Sequence, residues 1–112
     1  MSKDTPLRYG IYLAALDPTI GREIAKTRPV VVVSLDALNR HVETVVVCPL
    51  TTSLHPTWRT RLPVTCAGQS AEIAADQIRT LRTQRLVKKI DTLSPPEAAR
   101  LRDLLGEMYA TA

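Results

Sequence analysis

Four consecutive valines stand directly behind a proline in the segment Glu23–Ser34, "EIAKTRPVVVVS", and a second β-branched run, "TVVVCPL", spans Thr44 to Leu50. Branching at Cβ restricts χ1 in a helix and suits a pleated surface, so both runs predict strands. Together they are read as the centre of a sheet. Pro29 fits the first position of its strand, where no ladder donor is missed. The turn residues Asp17, Pro18 and Gly21 predict a loop of about ten residues before it.

The remaining segments supply neighbours for that centre. Tyr9–Leu16, "YGIYLAAL", is apolar almost throughout and predicts a first strand buried on much of both faces. "LDALNRHVE" predicts a turn or a short helical excursion. "RLPVT", with Pro63, predicts an edge strand or bulge, and Gly68 a turn. "AEIAADQIRTL" predicts one strand or a pair of short ones, and "VKKIDTL" a last strand. In "SPPEAARLRDLLGEMY", Ser94 and Glu97 form a capping box around Pro95, and Ala98, Leu101, Leu104, Leu105 and Met108 make one apolar stripe. The expected architecture is a small, strongly curved sheet or barrel of five to seven strands with a C-terminal amphipathic helix.

With 112 residues and 45% hydrophobic content, the chain has room for one compact core, so a single domain over residues 1–112 is expected. No run approaches the roughly 18 to 20 apolar residues of a membrane helix, and "MSKDTPLRYG" lacks the apolar core of a secretory signal. A cytoplasmic protein with no membrane partner is expected. Cys48 and Cys66, with two isolated histidines, fit neither a disulfide scaffold nor a zinc spacing, so the expectation is reduced thiols, no metal and no cofactor. An excess of 15 Lys and Arg over 11 Asp and Glu gives a net charge of +4, which favours a polyanionic partner such as nucleic acid.

Three blocks, "LDPTIGREIAKTRPVVVVS", "CPLTTS" and "DQIRTLRTQRLVKKIDTLSPPE", in that order and spacing, closely resemble the MazF/PemK family of toxins from bacterial toxin–antitoxin pairs. The likeness runs from about Leu13 to Met108. It implies an SH3-like barrel with a C-terminal helix, a homodimer, and a metal-independent endoribonuclease that cuts single-stranded RNA at a short sequence. It also implies a small antitoxin protein that blocks the RNA groove.

Such cleavage can use the 2′-hydroxyl as internal nucleophile, leaving a cyclic phosphate and a 5′-hydroxyl. The protein then has to remove a proton, stabilise charge on the phosphoryl oxygens and protonate the leaving oxygen. By the resemblance, Arg28 of the "RP" pair is catalytic; its planar fork suits a phosphate, where otherwise it reads as a surface arginine ending a loop. Thr51 matches the family's hydroxyl residue on the scissile phosphate. A hydroxyl is a good donor and a poor base, so its role is positioning and charge stabilisation, against a plain capping role at the end of the third strand. Thr52 and Ser53 are adjacent alternatives. Glu23 matches a position near the RNA, as base or as orienter of Arg28, the alternative being an ion pair with Lys26 or Arg22.

Lys26 joins the RNA-binding candidates. Asp76 and Gln77 match residues that read bases in relatives, and their side chains suit base edges. The loop "TTSLHPTWRT" offers His55 and Trp58 for stacking and Arg59 and Arg61 for phosphate; the alternative packs Trp58 on the barrel or on a dimer partner. His41 reads as a solvent residue. Relatives begin the first strand with Arg-Gly-Asp or Arg-Gly-Glu, whereas here Tyr9 and Gly10 replace the glycine and the acid. A reading from another class is a non-enzymatic toxin of the same barrel that poisons DNA gyrase, against which the "TRP" and "PLTT" blocks argue.

Overall fold

The two valine runs lie side by side as antiparallel partners, with Val30 opposite Pro49, Val31 opposite Cys48 and Val32 opposite Val47. The computed structural model describes residues 5–16 and 27–110. Along the chain come β1 (Gly10–Ala15), β2 (Thr27–Val32), the single turn α1 (Asp36–Asn39), β3 (Thr44–Thr51), β4 (Arg61–Cys66), β5 (Gln69–Ala74), β6 (Arg79–Arg82), β7 (Leu86–Thr92) and α2 (Pro95–Tyr109). The strands form one curled antiparallel sheet in the order β4-β5-β3-β2-β1-β7, with β6 also on β3. The described chain is thus mostly β, with one long helix at its C-terminal end.

The unbroken valine run is explained by cover on both faces. Val31 and Val33 enter one apolar cluster with Ile11, Cys48, Leu50 and Ile73, closed by Ala98 and Leu101 of α2. Val30 and Val32 enter a second with Ala14, Val45, Val47 and Leu81. Val30, Val31 and Val32 are fully buried, each contributing roughly 1.5–3 kcal/mol over an exposed side chain. Strand alternation sends successive side chains to opposite faces, so only a run without polar residues serves both.

The capping box at α2 forms as expected: Ser94 Oγ accepts from the Glu97 amide at 3.3 Å and Glu97 Oε1 accepts from the Ser94 amide at 2.9 Å. The second oxygen, Oε2, accepts from the Thr65 amide at 3.0 Å, tying the helix to β4. β4 is a sheet edge, and its unpaired side is quieted by this bond and by Pro63, which has no amide hydrogen to offer. The β4–β5 turn is Ala67–Gly68, flanked by the pair Cys66 and Gln69, with φ of 51° and 81° at its two residues. Positive φ at both central positions is the hairpin geometry that matches strand twist.

Two details differ from the sequence expectation, and one open alternative is decided. β2 begins at Thr27 rather than Pro29, so Arg28 lies within the strand, paired with Ala14. Pro29 is tolerated because the β2–β3 ladder starts only at Val30, leaving β2 a neighbour on one side there. Of the two alternatives for "AEIAADQIRTL" the pair of short strands is the one formed, separated by a 3-10 turn at Ala75–Gln77 that carries Asp76 and Gln77. The cause is an insertion: Ile73 pairs with Leu50 and Arg79 with Val47, six residues against three. Lastly, β1 starts after Tyr9, whose φ of 69° is left-handed. Among the described residues no helix is long and apolar enough to cross a membrane.

Candidate active site

β2 and β3 part where their ladder ends at Val30 and Pro49. Continuing that register by two residues on each strand brings Arg28 opposite Thr51, both on the face of Val30, Val32, Val45 and Val47. Instead of pairing, the strands leave an open cavity of about 450 Å³. Its polar lining is Arg28, Thr51, Ser53, His55, Arg61, Gln77 and Arg79, beside apolar Leu16, Pro49, Leu50 and Ala74. The inserted 3-10 turn delivers Gln77 to this cavity, and Arg79 arrives by pairing with Val47.

Three arginines therefore meet here, in different electrostatic states. The Arg61 side chain is only 7% exposed; its Nε donates to Asp76 Oδ1 at 3.2 Å and its NH1 lies 4.0 Å from Glu72 Oε1. For Arg28 and Arg79, no carboxylate among the described residues lies within ion-pairing distance. No carboxylate of the described residues occupies either guanidinium fork, and phosphate is the geometric match for such a fork.

The segment from Thr51 to Arg61 makes one wall. Thr51 Oγ1 accepts from the Ser53 amide at 3.0 Å, which occupies a lone pair and leaves the hydroxyl hydrogen to donate. The His55 amide donates to Glu72 Oε1 at 2.8 Å. Its ring stacks on Trp58 with centroids 3.9 Å apart and planes 10° apart, and the Arg61 guanidinium lies 4.7 Å from the Trp58 ring centre. Trp58 keeps 47% of its surface exposed. This mixture of flat rings and cations suits single-stranded nucleic acid.

Of the residues singled out in the sequence, Arg28, Thr51, Ser53, His55, Arg61 and Gln77 come together at the cavity, with Trp58 attached through its stack on His55. Thr52 is exposed and does not line it. Arg59 turns the other way, its NH2 3.4 Å from Glu107 Oε1 on α2. Asp76 also stays outside the lining and is occupied by Arg61. Partial burial pushes the Asp76 carboxyl up, but hydrogen bonds from Thr60, from its own amide and from Arg61, with Arg61's charge, hold it below the ordinary carboxylate range. Glu23 and Lys26 lie outside the described residues.

Two residues at the site escaped the sequence reading. Arg79 opens β6, and its signal in the sequence is a cation two places after Gln77 in "DQIRT". Glu72 interrupts the apolar run "AEIAA", and an acid inside such a run signals a buried charge with a partner. The Tyr9–Gly10 departure also has a structural meaning. Tyr9 occupies a left-handed position of the kind glycine fills, held by its amide to Val32 O at 2.6 Å and by the Leu93 amide to its own carbonyl at 2.9 Å. At Gly10 an added Cβ would stand 2.8 Å from the Tyr12 ring and 3.1 Å from Leu7 O, so an acid here would require the Tyr12 ring to shift.

The cysteines are not nucleophile candidates. Burial, with the charge of Asp76 adding to it, pushes the Cys48 thiol up to about 12, and burial raises Cys66 as well. Among the described residues no group of three His, Cys, Asp or Glu side chains is placed to hold a metal ion.

Comparison with known proteins gives this arrangement its context. An endoribonuclease MazF9 of Mycobacterium tuberculosis is 35% identical over 111 residues, covering 85% of this chain and 88% of that protein. An endoribonuclease MazF of Staphylococcus epidermidis is 32% identical over 95 residues, covering 78% of this chain and 77% of that protein. Among solved structures, an endoribonuclease from a Mycobacterial species superposes with a TM-score of 0.77 at 25% identity, covering 93% of this chain and 90% of that one. The profile of the PemK-like, MazF-like toxins of type II toxin–antitoxin systems matches residues 7–109. With all but the extreme ends of the chain inside that match, the protein belongs to this toxin family.

Proposed function

We propose that this protein is the toxin of a toxin–antitoxin pair and acts as a metal-independent endoribonuclease on single-stranded RNA, in the cytoplasm, as a homodimer held in check by a cognate antitoxin protein. The observation that carries the chemistry is the convergence of Arg28 and Thr51 on one open cavity where the β2–β3 ladder ends. The names of the relatives, both endoribonucleases, support the reaction, and the family description supports the antitoxin.

The 2′-hydroxyl of the nucleotide attacks the adjacent phosphorus, the bond to the 5′-oxygen breaks as that oxygen takes a proton from solvent water, and the products are a 2′,3′-cyclic phosphate and a 5′-hydroxyl. Arg28, with Arg79 as a second cation, neutralises the non-bridging oxygens as charge develops on them. Thr51 donates its hydroxyl hydrogen to one of those oxygens while the Ser53 amide fixes its oxygen. Glu23 takes the proton from the 2′-hydroxyl or orients Arg28. Gln77 reads a base edge, and His55 with Trp58 receives a neighbouring base by stacking. Asp76 assists by holding Arg61 in place.

Incubating the purified protein with a long single-stranded RNA in EDTA, then mapping the new ends, tests this directly. Cleavage at a short recurrent sequence with cyclic-phosphate and 5′-hydroxyl ends is expected. RNA left intact by the folded protein would overturn the proposal, and binding to DNA gyrase would then favour the non-enzymatic reading.

A further inference from the structure

Glu72 is 2% exposed, and with Asn39 it makes up the whole set of polar or charged residues buried to this degree among the described residues. A buried carboxylate is costly unless its oxygens are satisfied, so its retention demands a reason. It pairs in register with Thr51, the proposed phosphate contact, and therefore shares its face of the sheet, behind the cavity rather than in its lining. Its Oε1 receives the His55 amide at 2.8 Å and faces Arg61 NH1 at 4.0 Å. Arg61 in turn lies against Trp58, and Trp58 stacks on His55. These four residues close a ring of contacts: carboxylate, backbone amide, stacked rings, guanidinium.

We propose that Glu72 is a positioning residue that holds the His55–Trp58 pair as a preformed stacking platform for a nucleobase beside the scissile phosphate. Beside Asp76, which holds Arg61 more closely, it helps keep Arg61 as a structural cation and leaves Arg28 and Arg79 as the cavity arginines that meet the phosphates. The platform needs this anchor because residues 52–60 belong to no strand or helix. Stacking on such a pair is worth most when the rings need no ordering on binding. The proposal rests on the ribonuclease reading for its substrate, and the anchor itself can be judged without cleavage.

Three variants separate geometry from charge: Glu72→Asp keeps the charge but withdraws the carboxylate by one methylene, Glu72→Gln keeps an acceptor for the His55 amide without the charge, and Glu72→Ala removes both. Their steady-state kinetics would be measured on an RNA oligonucleotide spanning one mapped cleavage site. In parallel, the emission of Trp58, the only tryptophan in the chain, and exchange of the His55 amide report the anchor itself. Glu72→Asp is expected to raise KM about tenfold with kcat within threefold, to shift the Trp58 emission and to speed His55 exchange. Glu72→Gln should leave KM within threefold of the parent. If Glu72→Ala does not fold, the Asp and Gln variants decide between them.

Unchanged KM, emission and exchange in Glu72→Asp would overturn the proposal, as would a lower melting temperature with KM unchanged in both folded variants. Loss of kcat in Glu72→Gln at unchanged KM would also overturn it, by marking Glu72 as an acid–base group. If the parent protein cuts no RNA, the ribonuclease reading fails by itself. Emission and exchange in the Asp and Gln variants then still decide whether Glu72 anchors the pair.

Discussion

Glu97 does two jobs with one carboxylate, and removing it should cost the sum of both. One oxygen completes the capping box of α2 through the Ser94 amide at 2.9 Å, and the other closes the β4 edge through the Thr65 amide at 3.0 Å. Loss of a cap costs about 1 kcal/mol, and a charge-assisted bond to a partly exposed amide adds roughly 1 kcal/mol more. Glu97→Ala should therefore cost about 2 kcal/mol and Ser94→Ala, which removes only the cap, about 1 kcal/mol. For a chain of this size that is a drop of roughly 8 °C against 4 °C in Tm.

The carboxyl also gives this prediction a pH signature. Partial burial pushes the Glu97 carboxyl up, but hydrogen bonds from the Ser94 and Thr65 amides and the Ser94 side chain, with Arg100's charge, bring it below its ordinary value of 4.5. A depressed carboxyl stabilises the fold above its unfolded value and loses that contribution as pH falls through the folded one. The gap between the parent and Glu97→Gln in urea melts should thus be widest at pH 7 and close toward pH 3. Asp91, held down by the Ala67 and Thr92 amides, adds to the parent's acid sensitivity in the same direction. Equal melting of Glu97→Ala and Ser94→Ala, or a Glu97→Gln gap indifferent to pH, would refute this reasoning.

Two further outcomes follow from the geometry. Thr51→Ala should lower kcat on RNA by about 100-fold or more, the usual loss for one donor to a developing oxyanion, while Thr51→Ser stays within a few fold; equal loss in both would contradict the hydroxyl's role. Ala67→Asn should raise stability by about 0.5–1 kcal/mol, because the exposed Ala67 sits at a φ of 51° and asparagine tolerates that region; lower stability in a urea melt would count against the turn geometry.

What could be read from the sequence was whatever local pattern alone dictates. The valine runs announced the sheet centre, Pro63 an edge strand, and Ser94 with Glu97 a helix start, since each rests on propensity or on a bond within a few residues. The two ends of the β2–β3 ladder were not readable. Arg28 belongs to a strand because Ala14 pairs with it, and the site exists because the ladder stops two residues short of Arg28 and Thr51. The turn at Asp76 comes from an insertion visible only against β3. Charges misled for the same reason: Arg59 and Arg61 read alike in "TWRT RLPVT", yet Glu107 draws one to the helix and Asp76 with Glu72 sequesters the other.

Arg28 carries the proposed chemistry. Its side chain is exposed and makes no ion pair with the described residues, so Arg28→Ala should change stability by less than about 0.5 kcal/mol. The deciding measurement is cleavage of single-stranded RNA in EDTA by the folded variant beside the parent. The account predicts a loss of at least 1,000-fold in kcat/KM, on the order of 4 kcal/mol of transition-state stabilisation, with an unchanged melting curve. Cleavage at the parent's rate by folded Arg28→Ala would contradict it.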